Sequence, residues 1–99
     1  MKMVFMTYKD SQDSEVMQIL NDLYIPAFTR WRDIQEKTRK GRPRMGTHIW
    51  PGYNYAITFE VEEETASKLF IRIREFNELT KFEGIKAVCW TLDDACWKE

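Results

Sequence analysis

Apolar residues alternate with period two along four stretches of this chain and recur at three- and four-residue spacing along two others. Met1 to Tyr8 is a short apolar run closed by the turn-forming Lys9-Asp10-Ser11, and it reads as a first strand with Met3 and Phe5 on one side and Val4, Met6 and Tyr8 on the other. A strand that is apolar on both faces needs cover on both. From Ser14 to Tyr24, Val16, Met17, Ile19, Leu20, Leu23 and Tyr24 follow helical spacing, with Ser11 or Asp13 available as N-cap. Pro26 cannot continue that helix, and Ala27 to Ile34, with Phe28, Trp31 and Ile34 among polar residues, reads as a second strand. Tyr53 to Val61 is the clearest alternation: Tyr53, Tyr55, Ile57, Phe59 and Val61 share one face, and Asn54, Ala56, Thr58 and Glu60 the other. Glu62, Glu63 and Glu64 favour a helix N-terminus, and Ala66, Leu69, Phe70, Ile73 and Phe76 give the second helix its apolar stripe. After Gly84, Ile85 to Leu92 carries Ile85, Ala87 and Cys89 on one face and Val88, Trp90 and Leu92 on the other, which predicts a fourth strand buried on both sides.

The order is βαββαβ. Right-handed crossovers through the helices then give an α+β domain: a four-stranded antiparallel sheet with two helices on one face. The other face carries more apolar residues than an open sheet should show, which points to self-association. The alternative is that Tyr53, Tyr55 and the tryptophans partly cover it within one subunit.

Ninety-nine residues make one domain, 1–99. No apolar run approaches the ~20 residues of a membrane helix, and MKMVFMTYKD has no secretory pattern, so a cytoplasmic location without membrane insertion is expected. Cys89 and Cys96 form no CxxC pair, which fits a reducing compartment. The net charge of -1 hides an uneven distribution. Arg30 to Arg44 holds seven Lys/Arg against Asp33 and Glu36, a local sum of +5 in an otherwise acidic chain. A basic segment in an acidic body indicates a localised anion site, or else a solvated loop whose charges only keep it soluble. Gln35 to Thr47 has no hydrophobic periodicity, contains Gly41, Pro43 and Gly46, and reads as an exposed, mobile loop.

The passages YIPAFTRWRD and GRPRMGTHIWPGYNYAITFEVEEETASKLFIRIREF, with the ending GIKAVCWTLDDA, span nearly the whole chain, and in them the sequence resembles the PII signalling proteins and their shorter PII-like relatives. The resemblance implies a ferredoxin-like βαββαβ sandwich, a homotrimer with sheets facing inward, and signalling, not catalysis. It also implies an adenine nucleotide or other small anion in clefts between subunits, and a flexible T-loop, here residues 35–47, that engages a membrane transporter or a metabolic enzyme. The string GTHIWPG, Gly46 to Gly52, looks like the mark of a divergent PII-like branch. Gly41 and Arg42 sit in a Gly-Arg context like the family's loop base. One departure is that Thr80 to Lys86 offers only Gly84 where the family's phosphate loop is glycine-rich, and glycine is what lets backbone N–H groups approach phosphate.

The candidate ligand-binding residues are therefore Gly41, Arg42, Arg44, Gly84 and Lys86, the cations being able to grip a carboxylate or phosphate. His48, the only histidine, is a candidate metal contact if a trimer brings copies together, or a packing residue beside Trp50 and the Pro51-Gly52 turn. Cys89, Met1, Met3, Met6 and Met17 read as core filler, and no acid, base and nucleophile constellation is visible. Two other classes share the architecture: trimeric metal-tolerance proteins of the CutA type, whose local motifs are missing, and the RNA recognition motif. For the latter, Tyr53 and Tyr55 would have to stack bases, but Pro51, Asn54 and Thr58 break its signature, so no nucleic-acid partner is expected.

Overall fold

The computed structural model describes residues 1–37, 39, 43–46, 52–81 and 83–98. In chain order it contains β1 (Lys2–Lys9), a 3-10 turn (Asp10–Gln12), α1 (Asp13–Asp22), β2 (Thr29–Ile34), β3 (Asn54–Val61), α2 (Glu63–Leu79) and β4 (Lys86–Thr91). The strands form one sheet in the order β2-β3-β1-β4, every neighbouring pair antiparallel, so the chain adopts the expected ferredoxin-like βαββαβ sandwich. Among the described residues no helix is long and apolar enough to cross a membrane.

β1 runs through the middle of the sheet, and its register distributes every other side chain. Directly opposed residues of an antiparallel pair point to the same face. Val4 lies opposite Phe59, Met6 opposite Ile57, and Tyr8 opposite Tyr55. Val4, Met6, Tyr8, Ile57 and Phe59 are buried, and they share one core with Val16, Ile19 and Leu20 of α1 and Ala66, Leu69 and Ile73 of α2. Both helices therefore cover this face.

The start of α1 differs from the expected cap. Its N-cap is Gln12, and neither Ser11 nor Asp13 caps it through a side chain. The preceding 3-10 turn already satisfies one helix donor, because the Asp13 N–H bonds the Asp10 carbonyl. Asp13 is thus released for stronger partners: the Tyr8 hydroxyl donates to Oδ1 at 2.6 Å, and Arg30 Nη1 donates to Oδ2 at 2.9 Å.

β4 requires a second correction. It is an edge strand, not one buried on both sides, and its place beside β1 alone is the reason. Ile85, just before it, and Ala87 reach the core, but Cys89 is exposed and is not core filler. The uncovered face carries Met3 and Phe5 from β1, Ala56 and Thr58 from β3, Trp31 from β2, and Val88 and Trp90 from β4. Trp31, Val88 and Trp90 remain 48%, 43% and 49% exposed, while Tyr55 faces the helices, so among the described residues these aromatics do not close the face within one subunit; Trp50 lies outside them.

Leu69 is fully buried between α2 and the sheet, and Leu69→Ala is expected to cost about 2–5 kcal/mol, read as a lower denaturant midpoint. A second prediction concerns alkali. Burial, followed by the hydrogen bond and negative charge of Asp13, raises the Tyr8 hydroxyl pKa well above its ordinary value. The folded protein then keeps a proton that the unfolded chain gives up above about pH 10, so stability is retained below that pH and falls as pH rises through it. Tyr8→Phe should lose less stability than the wild type between about pH 9 and about pH 11. Parallel denaturation profiles for the two proteins would refute this.

Candidate functional site

The loop between β2 and β3 is launched by a β-bulge. Trp31 pairs with Ala56, yet Ile34 pairs with Asn54, so β2 carries one extra residue, with Asp33 at φ 56°. Beyond it the chain is paired again: Glu36 and Arg44 exchange two backbone hydrogen bonds, 2.8 and 2.7 Å, and Gln35 Nε2 donates to the Met45 carbonyl at 2.7 Å. The feet of the 35–47 loop are therefore held. Thr38, Lys40, Gly41, Arg42 and Thr47 lie outside the described residues, as does His48, and so do the expectations placed on them.

Glu36 is the centre of the site. Thr7 Oγ1 donates to Oε2 at 3.0 Å, Asn54 Nδ2 donates to Oε1, and Lys86 Nζ stands 4.0 Å from Oε2. Thr7 and Asn54 are each only 3% exposed, so the carboxylate satisfies donors that have no water to turn to. Beside it Arg44 forms an ion pair with Glu83, which lies on the connection leading into β4.

That connection is fixed from two sides. Gln12 Nε2 donates to the Glu83 carbonyl at 2.7 Å. Asn77 of α2 accepts from the Ile85 N–H at 2.7 Å and returns a hydrogen bond to the Ile85 carbonyl at 3.0 Å. A Cβ at residue 84 would overlap the Asn77 carboxamide, so Gly84 is used for this close approach.

These elements enclose a cleft of about 350 Å³ at the loop end of the uncovered sheet face. Lys9, Arg44 and Lys86 line it against Glu36 and Glu83, a surplus of one positive charge among the described residues. A larger groove of about 850 Å³ adjoins it, sharing Lys9, Arg44 and Glu83 and continuing to Phe76, Leu79 and Lys81. Of the candidate ligand-binding residues, Arg44, Gly84 and Lys86 come together around this one cleft. Among the described residues no group of three or more His, Cys, Asp or Glu could hold a metal ion.

The basic run does not form one patch. Arg30 is spent on Asp13, and Arg32 packs over Tyr55 with Nε donating to its hydroxyl at 3.2 Å. Tyr55 also meets Tyr8 edge-to-face on the helix side, so it is turned away from the surface on which an RNA recognition motif stacks bases. Sequence reasoning missed Thr7, Glu36, Asn54 and Glu83. The available signal was in the strands: Thr7 and Asn54 are polar residues that the alternation places on the same face as Met3 and Ala56.

No protein-family model matches the sequence, and no curated protein matches it significantly. Solved structures do match. A protein described as PII-like from Thermus thermophilus, TTHA0516, is similar with a TM-score of 0.65 and 18% identity, over 90% of this chain and 83% of its own. CPII from Thiomonas intermedia K12, bound to ADP and bicarbonate, gives a TM-score of 0.70 and 15% identity over 94% of this chain and 88% of its own. Another structure of CPII, a nitrogen regulatory PII-like protein bound to ADP, AMP and bicarbonate, gives 0.68 and 14% over 96% and 94%. At these identities the likeness is one of fold, and the fold of this chain is that of the PII-like signalling proteins.

Proposed function

We propose that this chain is a homotrimeric regulator of the PII-like kind and not an enzyme. In this reading the uncovered sheet faces meet at the centre of the trimer, and a small anion binds in the cleft near Arg44, Gly84 and Lys86, with Gly41 and Arg42 of the same loop as further contacts. The 35–47 loop then reports occupancy to a membrane transporter or a metabolic enzyme. One observation carries the reading: a cleft lined by Lys9, Arg44 and Lys86 lies at the foot of the loop and at the margin of an apolar face that one chain leaves uncovered. A neighbouring subunit on that face would wall the cleft, and a closed site strengthens each charge-assisted hydrogen bond by excluding water. CPII was solved with ADP, AMP and bicarbonate, which makes a nucleotide and bicarbonate the first ligands to try. Gly84 is filled by the Asn77 side chain, so the phosphate grip in this reading comes from side-chain cations more than from a glycine-rich backbone cradle.

Two outcomes are expected. Sedimentation velocity should give the mass of three copies, and Val88→Glu should give a folded monomer, because Val88 is 43% exposed in the single chain and a surface change of this kind moves monomer stability by only about 0.5 kcal/mol. A monomeric wild type, or a Val88→Glu trimer, would contradict the assembly. Titration calorimetry should detect ADP or bicarbonate, with Lys86→Ala and Arg44→Ala each lowering affinity about tenfold or more, the scale of a lost charged hydrogen bond. Unchanged affinity in both variants would place the ligand elsewhere.

A further inference from the structure

The cleft is already internally paired, and its two carboxylates are held very differently. Glu36 is gripped by the Thr7 hydroxyl and the Asn54 amide, with Lys86 nearby, and its side chain is 14% exposed. Glu83 is 37% exposed and reaches Arg44, whose own side chain is 12% exposed. Withdrawing Glu36 would strand two buried donors, whereas Glu83, the more exposed of the two carboxylates, can leave Arg44 once another anion takes its place. An anion carrying more than one charge meets a surplus of only one positive charge among the described residues, and each of the two carboxylates competes with it for the cations.

We propose that Glu83 is a built-in competitor for the ligand: its carboxylate holds the Arg44 guanidinium in the empty protein, and a phosphate-bearing molecule binds by taking Arg44 from it. This rests on the reading that the cleft accepts an anion. Arg44 is also the far foot of the 35–47 loop, paired through its backbone with Glu36, while Glu83 belongs to the connection that Gln12 and Asn77 fasten to the helices. The Arg44–Glu83 pair is therefore a strut between loop and body. Exchanging Glu83 for a ligand phosphate cuts that strut, so the loop foot is then held only by its backbone pairing with Glu36 and by the ligand.

ADP is the probe, measured by equilibrium dialysis on the wild type, Glu83→Gln and, as a control of equal charge change, Glu78→Gln on the exposed side of α2. Glu83→Gln should bind ADP about tenfold more tightly, or ~1.4 kcal/mol, with Glu78→Gln within about twofold of wild type. Trypsin should cut the loop after the exposed Lys37 or Arg39 faster in unliganded Glu83→Gln than in the unliganded wild type, and ADP should accelerate the cut in the wild type. Equal or weaker binding by Glu83→Gln, a gain matched by Glu78→Gln, or unchanged cleavage overturns the competitor while leaving the anion site standing. Folded proteins that bind no ADP in either form overturn the competitor, and if bicarbonate does not bind either, the anion reading falls as well. Should Glu83→Gln fail to fold, Glu83→Asp, whose shorter side chain cannot hold Arg44 as closely, takes its place with the same expected directions.

Discussion

A central strand that must serve two different environments governs the structure. β1 is hydrogen-bonded on both edges, to β3 and β4, so its alternation commits Val4, Met6 and Tyr8 to the helical layer and Met3, Phe5 and Thr7 to the opposite face. Full burial of each large apolar side chain under the helices contributes about 1.5–3 kcal/mol. A slip of one residue would exchange the two sets and present Thr7 and Lys9 to the core, so the register is strongly specified.

The uncovered face is graded along β1. Toward Met3 and Phe5 it is apolar, with Val88, Trp90 and Trp31 beside them; toward Lys9 it becomes polar, through Thr7, Asn54 and Lys86. Thr7 is where the strand changes character, and Glu36 is brought to that point. A carboxylate loses its hydration there only because the Thr7 hydroxyl, the Asn54 amide and the Lys86 ammonium replace water. An apolar region for association and a polar region for a ligand thus lie in succession on one surface, each defined by the same period-two pattern.

That pattern made the fold legible. All six elements follow from alternation or helical spacing, because each strand or helix buries a face and burial writes itself into residue order. What alternation cannot give is the position of a strand within the sheet. Ile85 to Leu92 looks doubly buried in isolation, whereas its place at the edge exposes Cys89, and only pairing with β1 reveals that. The site was legible only where it carried positive charge. Arg44, Gly84 and Lys86 could be named from the sequence, but Glu36 was one acid in a basic run, and nothing local says that its carboxylate closes on Thr7, twenty-nine residues away. Charge counts also overstated the cluster, since Arg30 and Arg32 are taken by Asp13 and Tyr55 on the helix side.

The reason those two arginines part company with Glu36 is a single backbone irregularity. Along β2, Arg30 pairs with Ile57 and so faces the helices, and strict alternation would send Arg32, Ile34 and Glu36 to the same side. The extra residue before Ile34 reverses that parity: Ile34 pairs with Asn54 and joins the uncovered face, and Glu36, two residues on, follows it to Thr7, Asn54 and Lys86. The reversal here places residue 33 in the left-handed region, and Asp is among the few non-glycine side chains that adopt φ 56° at modest cost. Without the bulge the carboxylate would be aimed at the apolar layer around Tyr8, the buried donors of Thr7 and Asn54 would be left unpaired, and the loop would leave the sheet on the wrong side of the cleft.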